Sequence, residues 1–349
     1  MVGDAMRSLD KTRIALAGLG QFGSLHARIL SQLASVDLVA VCDPRVESRN
    51  WATKTLGVLS AVASYDELLA TPDLDALFIV TPEDLHTEHV LQAVKLGIPI
   101  FMEKPLSTTA ASAHQIVDAV QRAGAFLQIG FVVRFDAQHA MLRTRIANGD
   151  LGSIVSFRAK RNCSQSWRQV YGDRAHTVYE TIIHDIDLLL WFTQSRCRTV
   201  YALQRNIDGM TYPDALMAIL QLEDGTIATL ETSWFVPAHA PQNVIAGSWT
   251  GTIDAEFEIV GTAQSARYRL LDSGMSIATA DSIVHPEVGL WPEVYGSVGG
   301  ALRLEVEHFI SCVRAGAPSN IASLDDALHG LEIAEAIVKS ANTGREVSL

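Results

Sequence analysis

Gly18-Leu19-Gly20-Gln21-Phe22-Gly23 follows the apolar run 14–17 and leads into a stretch with helical spacing. Glycine turns of this kind are common, and most bind nothing. A strand that ends in such a turn and passes into a helix aims backbone N–H groups and the positive helix end at one point, which suits a pyrophosphate. Gly18, Gly20, Gln21, Phe22 and Gly23 are therefore candidates for dinucleotide binding. Asp43 lies 20 residues beyond Gly23, at the end of the second β-type run. An acidic side chain there accepts hydrogen bonds from the ribose hydroxyls of NAD and repels the extra phosphate of NADP. Arg45, two residues on, can accommodate that phosphate, so NAD is preferred and NADP stays possible.

Outward from this turn, residues 13–130 alternate short apolar runs (14–17, 38–42, 61–63, 76–80, 100–102, 126–129) with helical stretches (21–33, 48–56, 84–96, 108–123). This is the pattern of a parallel sheet covered on both faces. The spacing predicts a Rossmann-type, doubly wound α/β domain over 1–130, with Gly97 and Gly124 ending two helices in the left-handed conformation. Polar groups at the carboxyl ends of such strands line the ligand crevice, which selects Thr81-Pro82 and Glu103-Lys104-Pro105.

The rhythm changes after Gly130. A helix at 136–147 is followed by a β-type run at 154–160, a polar irregular segment at 162–177 and an apolar helix at 178–192. Alternating runs follow at 199–204, 216–222, 226–233, 252–260, 266–271 and 275–280, and helices at 301–313 and 324–340 close the chain. Glu223-Asp224-Gly225 and Asp272-Ser273-Gly274 are hairpin signals. The expectation for 131–349 is an α+β domain for substrate binding and oligomerisation, with a largely antiparallel, open-faced sheet. One open face predicts a homodimer or homotetramer.

The bulk numbers narrow the partners. A chain of 349 residues that is 48% hydrophobic is long enough for two good cores, and a net charge of −12 argues against a nucleic-acid groove or a polybasic membrane surface. Small molecules are the expected partners. Cys42, Cys163, Cys197 and Cys312 have no metal-like spacing and read as reduced thiols of a cytoplasmic protein. The first 11 residues read as a frayed leader rather than a signal or membrane segment. His86 and His89 around Glu88, and His184 near Asp185 and Asp187, supply no convergent ligand set, so no metal is expected.

Several of these motifs together resemble the glucose-fructose oxidoreductase, inositol dehydrogenase and rhizopine-catabolism family, most of all its inositol and sugar dehydrogenases. The resemblance rests on Gly18–Gly23 with His26, Thr81-Pro82 with His86, and above all Glu103-Lys104-Pro105. It continues through Gly130-Phe131, Arg134-Phe135, residues 148–152 and His184-Asp185-Ile186-Asp187. It implies that Thr81, Pro82, His86, Glu103, Lys104 and Arg134 join the cofactor site. It also implies that His184 is the catalytic acid/base, Lys104 the group that stabilises the reacting oxygen, and Glu180 their carboxylate partner. The family has aspartate at the last position. Glutamate adds one methylene and moves the carboxylate by about 1 Å or more.

Glu180 and His184 stand four residues apart, which on an α-helix is one face. The implied reaction is hydride transfer between a nicotinamide and a secondary hydroxyl or hemiacetal carbon of a sugar, inositol or related polyol. Similarity to inositol dehydrogenases suggests that Asn162 bonds a substrate hydroxyl and that Trp234 stacks on a sugar face. Trp167 and Thr181, with Tyr171 and His176, belong to the same substrate region. Arg158, Lys160, Arg161, Arg168 and Arg174 form a basic cluster that leaves an anionic substrate open. Two other functions also remain open at this point: a dinucleotide-dependent sensor without catalysis, and a glycoside-cleaving enzyme that uses NAD transiently.

Overall fold

The computed structural model describes residues 11–246, 249–271, 274–278 and 283–349. The chain divides into two compact units, one running to Gly130 and taking in Glu293–Leu324, the other comprising Phe131–Pro292 and Asp325–Leu349. The first boundary falls between Gly130 and Phe131. The assignment of Glu293–Leu324 differs from the sequence expectation, because this segment belongs to the first unit. Its helix Gly300–Ala315 sets Phe309 edge-on against Phe78 and Phe101, with ring centroids 5.2 and 5.7 Å apart. At its start, Glu293 receives both terminal nitrogens of Arg28 at 2.8 Å.

The first unit holds six strands: β1 (Thr12–Ala17), β2 (Val36–Cys42), β3 (Ser60–Val62), β4 (Ala76–Ile79), β5 (Ile100–Glu103) and β6 (Leu127–Gly130). They are parallel neighbours in the order β3-β2-β1-β4-β5-β6. Every residue of β4, β5 and β6 is buried, as near-continuous apolar runs require in a sheet covered on both faces. The strand order reverses between β1 and β4, and ligands of such sheets bind in the crevice at that point. Gly97 and Gly124 end their helical segments at φ +67° and +59°. The helix expected at 48–56 is an α-helical turn, Val46–Trp51, continued as a π-helix, Ala52–Leu56. An additional short helix, Tyr65–Leu69, starts from a capping box in which Ser64 and Glu67 bond each other's backbone N–H.

The second unit contains β7 (Ile154–Ser164), β8 (Cys197–Arg205), β9 (Ala215–Leu222) and β10 (Ile227–Val236) in a seven-stranded sheet with Ile253–Gly261, Ser265–Arg269 and Val347–Ser348. Neighbours are antiparallel except β7 and β10, which run parallel. The sheet is therefore mixed, though mostly antiparallel. Alternate residues of β9 are buried and exposed, so one face meets the core. On that face, Phe192 packs against Phe157 and Phe257 at centroid distances of 6.3 and 5.6 Å.

Three local expectations change. The irregular segment contains a helix, Gln165–Tyr171, and β7 extends to Ser164. The apolar helix at 178–192 begins as a π-helical turn, Val178–Ile182, before the α-helix Ile183–Thr193. Of the run at 275–280, Ile277–Ala278 pairs with Ile283–Val284 outside the main sheet, and positions 279–280 lie outside the described residues. Positions 272–273 of the second hairpin signal also lie outside them. Among the described residues, no helix is long and apolar enough to cross a membrane.

Candidate active site

The glycine turn fits a dinucleotide for steric reasons that can be read position by position. Gly18 adopts φ +93°, and a Cβ there would lie 2.2 Å from the Val80 carbonyl oxygen. At Gly23 a Cβ would lie 2.1 Å from the Gly18 carbonyl oxygen. Both distances are impossible for a real side chain, so these two glycines let turn, helix and β4 close on one another. Gly20 differs, since a Cβ there would meet nothing within 4 Å. It caps the helix Gln21–Gln32 without any side-chain cap. Tight turn, open approach and close helix packing are the three tasks of a pyrophosphate-binding glycine turn. Gln21 and Phe22 open the helix, and the Phe22 ring meets His26 edge-on at 5.6 Å.

Asp43 follows β2 and is buried. Its Oδ2 accepts the Leu19 N–H at 2.8 Å, which ties the carboxylate to the glycine turn. Arg45 donates to the same carboxylate from its backbone and its guanidinium. Burial alone would raise the Asp43 carboxyl, but these bonds hold it below the ordinary aspartate value.

Lys104 sits half-buried just after β5, in a segment braced from two sides. Glu103 Oε1 meets His26 Nε2 at 2.8 Å, and Glu103 Oε2 accepts the Lys104 N–H at 3.2 Å. The Glu103 side chain lies over Gly130, where a Cβ would approach Oε1 to 3.0 Å. On the other side, His86 spans the carbonyls of Pro105 (Nδ1, 2.8 Å) and Thr81 (Nε2, 3.0 Å). Burial holds His86 below the usual imidazole value. A neutral ring has one N–H and donates to one of the two carbonyls. The Thr81 hydroxyl bonds His89 Nδ1 at 3.0 Å, and burial pushes His89 down to about 4. Pro82 caps the short turn Glu83–Leu85 that follows.

In the second unit, residues 178–190 are buried except for Tyr179, Glu180 and His184, which are half-buried. Glu180 lies in the π-helical turn and His184 in the α-helix, so the four-residue spacing does not have ordinary α-helical geometry. Thr181, one residue on, turns inward. Its hydroxyl donates to the Thr177 carbonyl and lies 2.9 Å from the Thr232 hydroxyl, whose single proton goes either to Thr181 or to the Arg161 carbonyl 2.8 Å away. This chain of bonds fixes the start of the helix to β7 and β10. Asn162, half-buried on β7, leaves Oδ1 covered and without a hydrogen bond among the described residues.

Several expected contacts are placed elsewhere. Trp234 is 1% exposed, with Tyr171 edge-on at 5.9 Å, and Trp167 is buried with its indole N–H on the Thr250 carbonyl. Both rings belong to the interior rather than to an accessible sugar-stacking face. Half-buried Tyr171 is the more accessible aromatic ring of this group. Arg134 is buried in bidentate contact with Asp187, at 2.6 Å from Nη2 and 3.0 Å from Nε. Its guanidinium is thus committed to an ion pair within the second unit.

The basic cluster also dissolves into individual pairings. Arg158 bonds Glu258, Lys160 bonds Asp254, and Arg161 forms a buried pair with Asp185. Arg168 is buried on the Tyr212 carbonyl, and the Arg174 guanidinium lies 5.1 Å from the Tyr171 ring centroid. Burial drives His176 down to about 4. Among the described residues there is no group of three or more His, Cys, Asp or Glu side chains that could hold a metal ion.

A parallel β3-β2-β1-β4-β5-β6 sheet with a sterically enforced glycine turn at the end of β1 is the frame of a dinucleotide-binding Rossmann domain. The chain belongs to the oxidoreductase family with an NAD-binding Rossmann fold, whose model matches residues 12–131; the C-terminal α/β domain of the same family matches residues 143–349. It is 25% identical to the scyllo-inositol 2-dehydrogenase (NAD(+)) of Bacillus subtilis over 97% of this chain and 96% of that protein. It is 31% identical to an inositol 2-dehydrogenase of Agrobacterium fabrum over 65% of this chain and 68% of that one. The crystal structure of myo-inositol 2-dehydrogenase from Lactobacillus plantarum superposes with a TM-score of 0.82 at 27% identity, covering 97% of this chain and 100% of that one. The protein is an NAD-dependent oxidoreductase.

Proposed function

We propose that this enzyme oxidises a secondary hydroxyl or hemiacetal carbon of an inositol, sugar or related polyol, with NAD as the hydride acceptor. The nicotinamide supplies hydride acceptance when bound. His184 acts as general base on the substrate hydroxyl, since an imidazole can take a proton near neutrality and return it in the reverse direction. Lys104 donates to the same oxygen and stabilises its developing negative charge. Glu180 orients His184 or holds a neighbouring hydroxyl. Asn162, half-buried on β7, hydrogen-bonds a substrate hydroxyl.

The observation that carries this reading is that Glu180 and His184, with Tyr179, are the half-buried residues of the otherwise buried segment 178–190. A carboxylate and an imidazole reachable by solvent in that setting are suited to a neutral hydroxylated ligand. The pairing of Arg158, Lys160, Arg161 and Arg168 with acidic or carbonyl groups favours such a ligand over an anionic one. The names of the relatives support the same substrate class. An NADH absorbance screen of inositols, aldoses and sugar acids, with NAD and NADP in parallel, tests the proposal. Net NADH formation on a neutral polyol is expected; turnover confined to sugar acids would refute the substrate class.

The sheet face away from the helix exposes Leu203, Met217 and Ile219 at 58%, 60% and 54%. An apolar patch on an open sheet favours assembly. A homodimer or homotetramer through this face is the quaternary state the reading requires, and a monomer by light scattering would refute it.

A further inference from the structure

The arrangement around Asp43 bears on which dinucleotide the enzyme accepts. Asp43 Oδ1 accepts the Arg45 backbone N–H at 2.9 Å and Arg45 Nε at 3.0 Å. Oδ2 accepts the Leu19 N–H at 2.8 Å and Arg45 Nη2 at 3.1 Å. A carboxylate has about four acceptor sites, so these four donors use its capacity. Ribose hydroxyls can bond Asp43 only by displacing the guanidinium.

The charges point the same way. The Asp43 side chain is 5% exposed and that of Arg45 is 57% exposed, so an arriving nucleotide meets the cation before the anion. Arg45 Nη2 also bonds the Leu19 carbonyl at 3.0 Å, which lays the guanidinium against the glycine turn. Arg49 adds a second guanidinium, held by the carbonyls of Asp43 and Pro44 at 2.7 and 2.9 Å. Glu47 is the acidic neighbour of Arg45 in the first turn of the next helix. With Asp43 neutralised by Arg45, the site lacks the unopposed carboxylate that rejects a 2′-phosphate.

We propose that Arg45 is the specificity-determining residue of the cofactor site: it covers Asp43, offers a cation to the 2′-phosphate, and lets this enzyme bind NADP alongside NAD. For NAD, the guanidinium is a competitor that must swing off the carboxylate. For NADP it is a direct partner, with Arg49 beside it. The inference rests on the assignment of the dinucleotide to the glycine turn and Asp43.

The test is calorimetric titration of NAD and NADP into the full-length wild type, Arg45→Ala and Arg45→Lys, with thermal unfolding of each to confirm the fold. In the wild type the two dissociation constants are expected to lie within about tenfold, the scale of one partly exposed charge contact. Arg45→Ala is expected to tighten NAD binding and to weaken NADP at least tenfold. Arg45→Lys, which keeps the charge, is expected to fall between the two in its NADP affinity. A larger wild-type preference for NAD overturns the proposal, as does an affinity ratio that Arg45→Ala leaves unchanged. Failure of the wild type to bind either dinucleotide overturns the cofactor site itself.

Discussion

Replacing Gly20 by alanine separates binding from folding. The new methyl would meet no protein atom within 4 Å, and the backbone at φ −65° and ψ −166° is open to any residue. Alanine is a poorer N-cap than glycine but loses less entropy on folding, so stability should stay within about 1 kcal/mol of wild type. The methyl nevertheless occupies the approach to the helix end, where the pyrophosphate must come close to backbone N–H groups. Losing that approach should weaken NAD at least tenfold, or about 1.4 kcal/mol. Gly23→Ala provides the contrast. Its Cβ would sit 2.1 Å from the Gly18 carbonyl oxygen, nearly 1 Å inside the 3.0 Å that real Cβ atoms respect. Helix and turn must part, and the overpacking should cost about 1–3 kcal/mol in unfolding free energy as well as NAD affinity. Calorimetric NAD titration and urea unfolding on both variants decide the matter. A Gly20→Ala protein that binds NAD like wild type would refute the placement of the pyrophosphate.

Other consequences follow from buried charge and from the sheet face. Arg134→Met would leave Asp187 buried without its bidentate partner, at an expected cost of about 3–5 kcal/mol in urea unfolding; a loss below about 1 kcal/mol would show that the pair is dispensable. His89 and His176 are held at about 4 in the fold, whereas an unfolded histidine titrates near 6.5. Between those values the unfolded chain binds more protons, so stability is full above about pH 6.5 and falls as the pH drops toward 4. The unfolding midpoint measured from pH 7 to pH 5 should show this decline, with a shallower slope in His176→Gln. Lysine at both Met217 and Ile219 should shift the proposed homo-oligomer toward monomer in light scattering while leaving the unfolding midpoint of the subunit close to that of the parent; an unchanged particle mass would refute assembly through this face.

The parts of the molecule that were legible in the sequence are those coded by local pattern. The six strands follow from apolar runs, two of them preceded by a helix-ending glycine, and the glycine turn carries its own steric logic over six residues. The capping box at Ser64 and Glu67 was also written in the chain, but the helix it starts is too short for periodicity to reveal. Pairings across long separations were not legible. His26 and Glu103 are 77 residues apart, Arg134 and Asp187 are 53, and Arg158 and Glu258 are 100. No spacing rule connects them, so the basic residues on β7 looked like a cluster when each is individually neutralised. The aromatic residues Trp167 and Trp234 show the same limit, since composition cannot tell a ring that faces a ligand from one that fills a core. The π-helical turn at Val178–Ile182 alters the local geometry just where Glu180 departs from the family's aspartate.

The proposed division of labour gives the chemistry to Lys104 and His184 and the cofactor to the glycine turn and Asp43. It is tested most directly by measuring NADH formation on the best polyol, together with NAD affinity, for Lys104→Met and His184→Ala. Both variants should bind NAD within about threefold of wild type and lose turnover by about 10²-fold or more, the scale of a general acid–base contribution. Retention of most of the wild-type turnover by either variant would contradict the assignment.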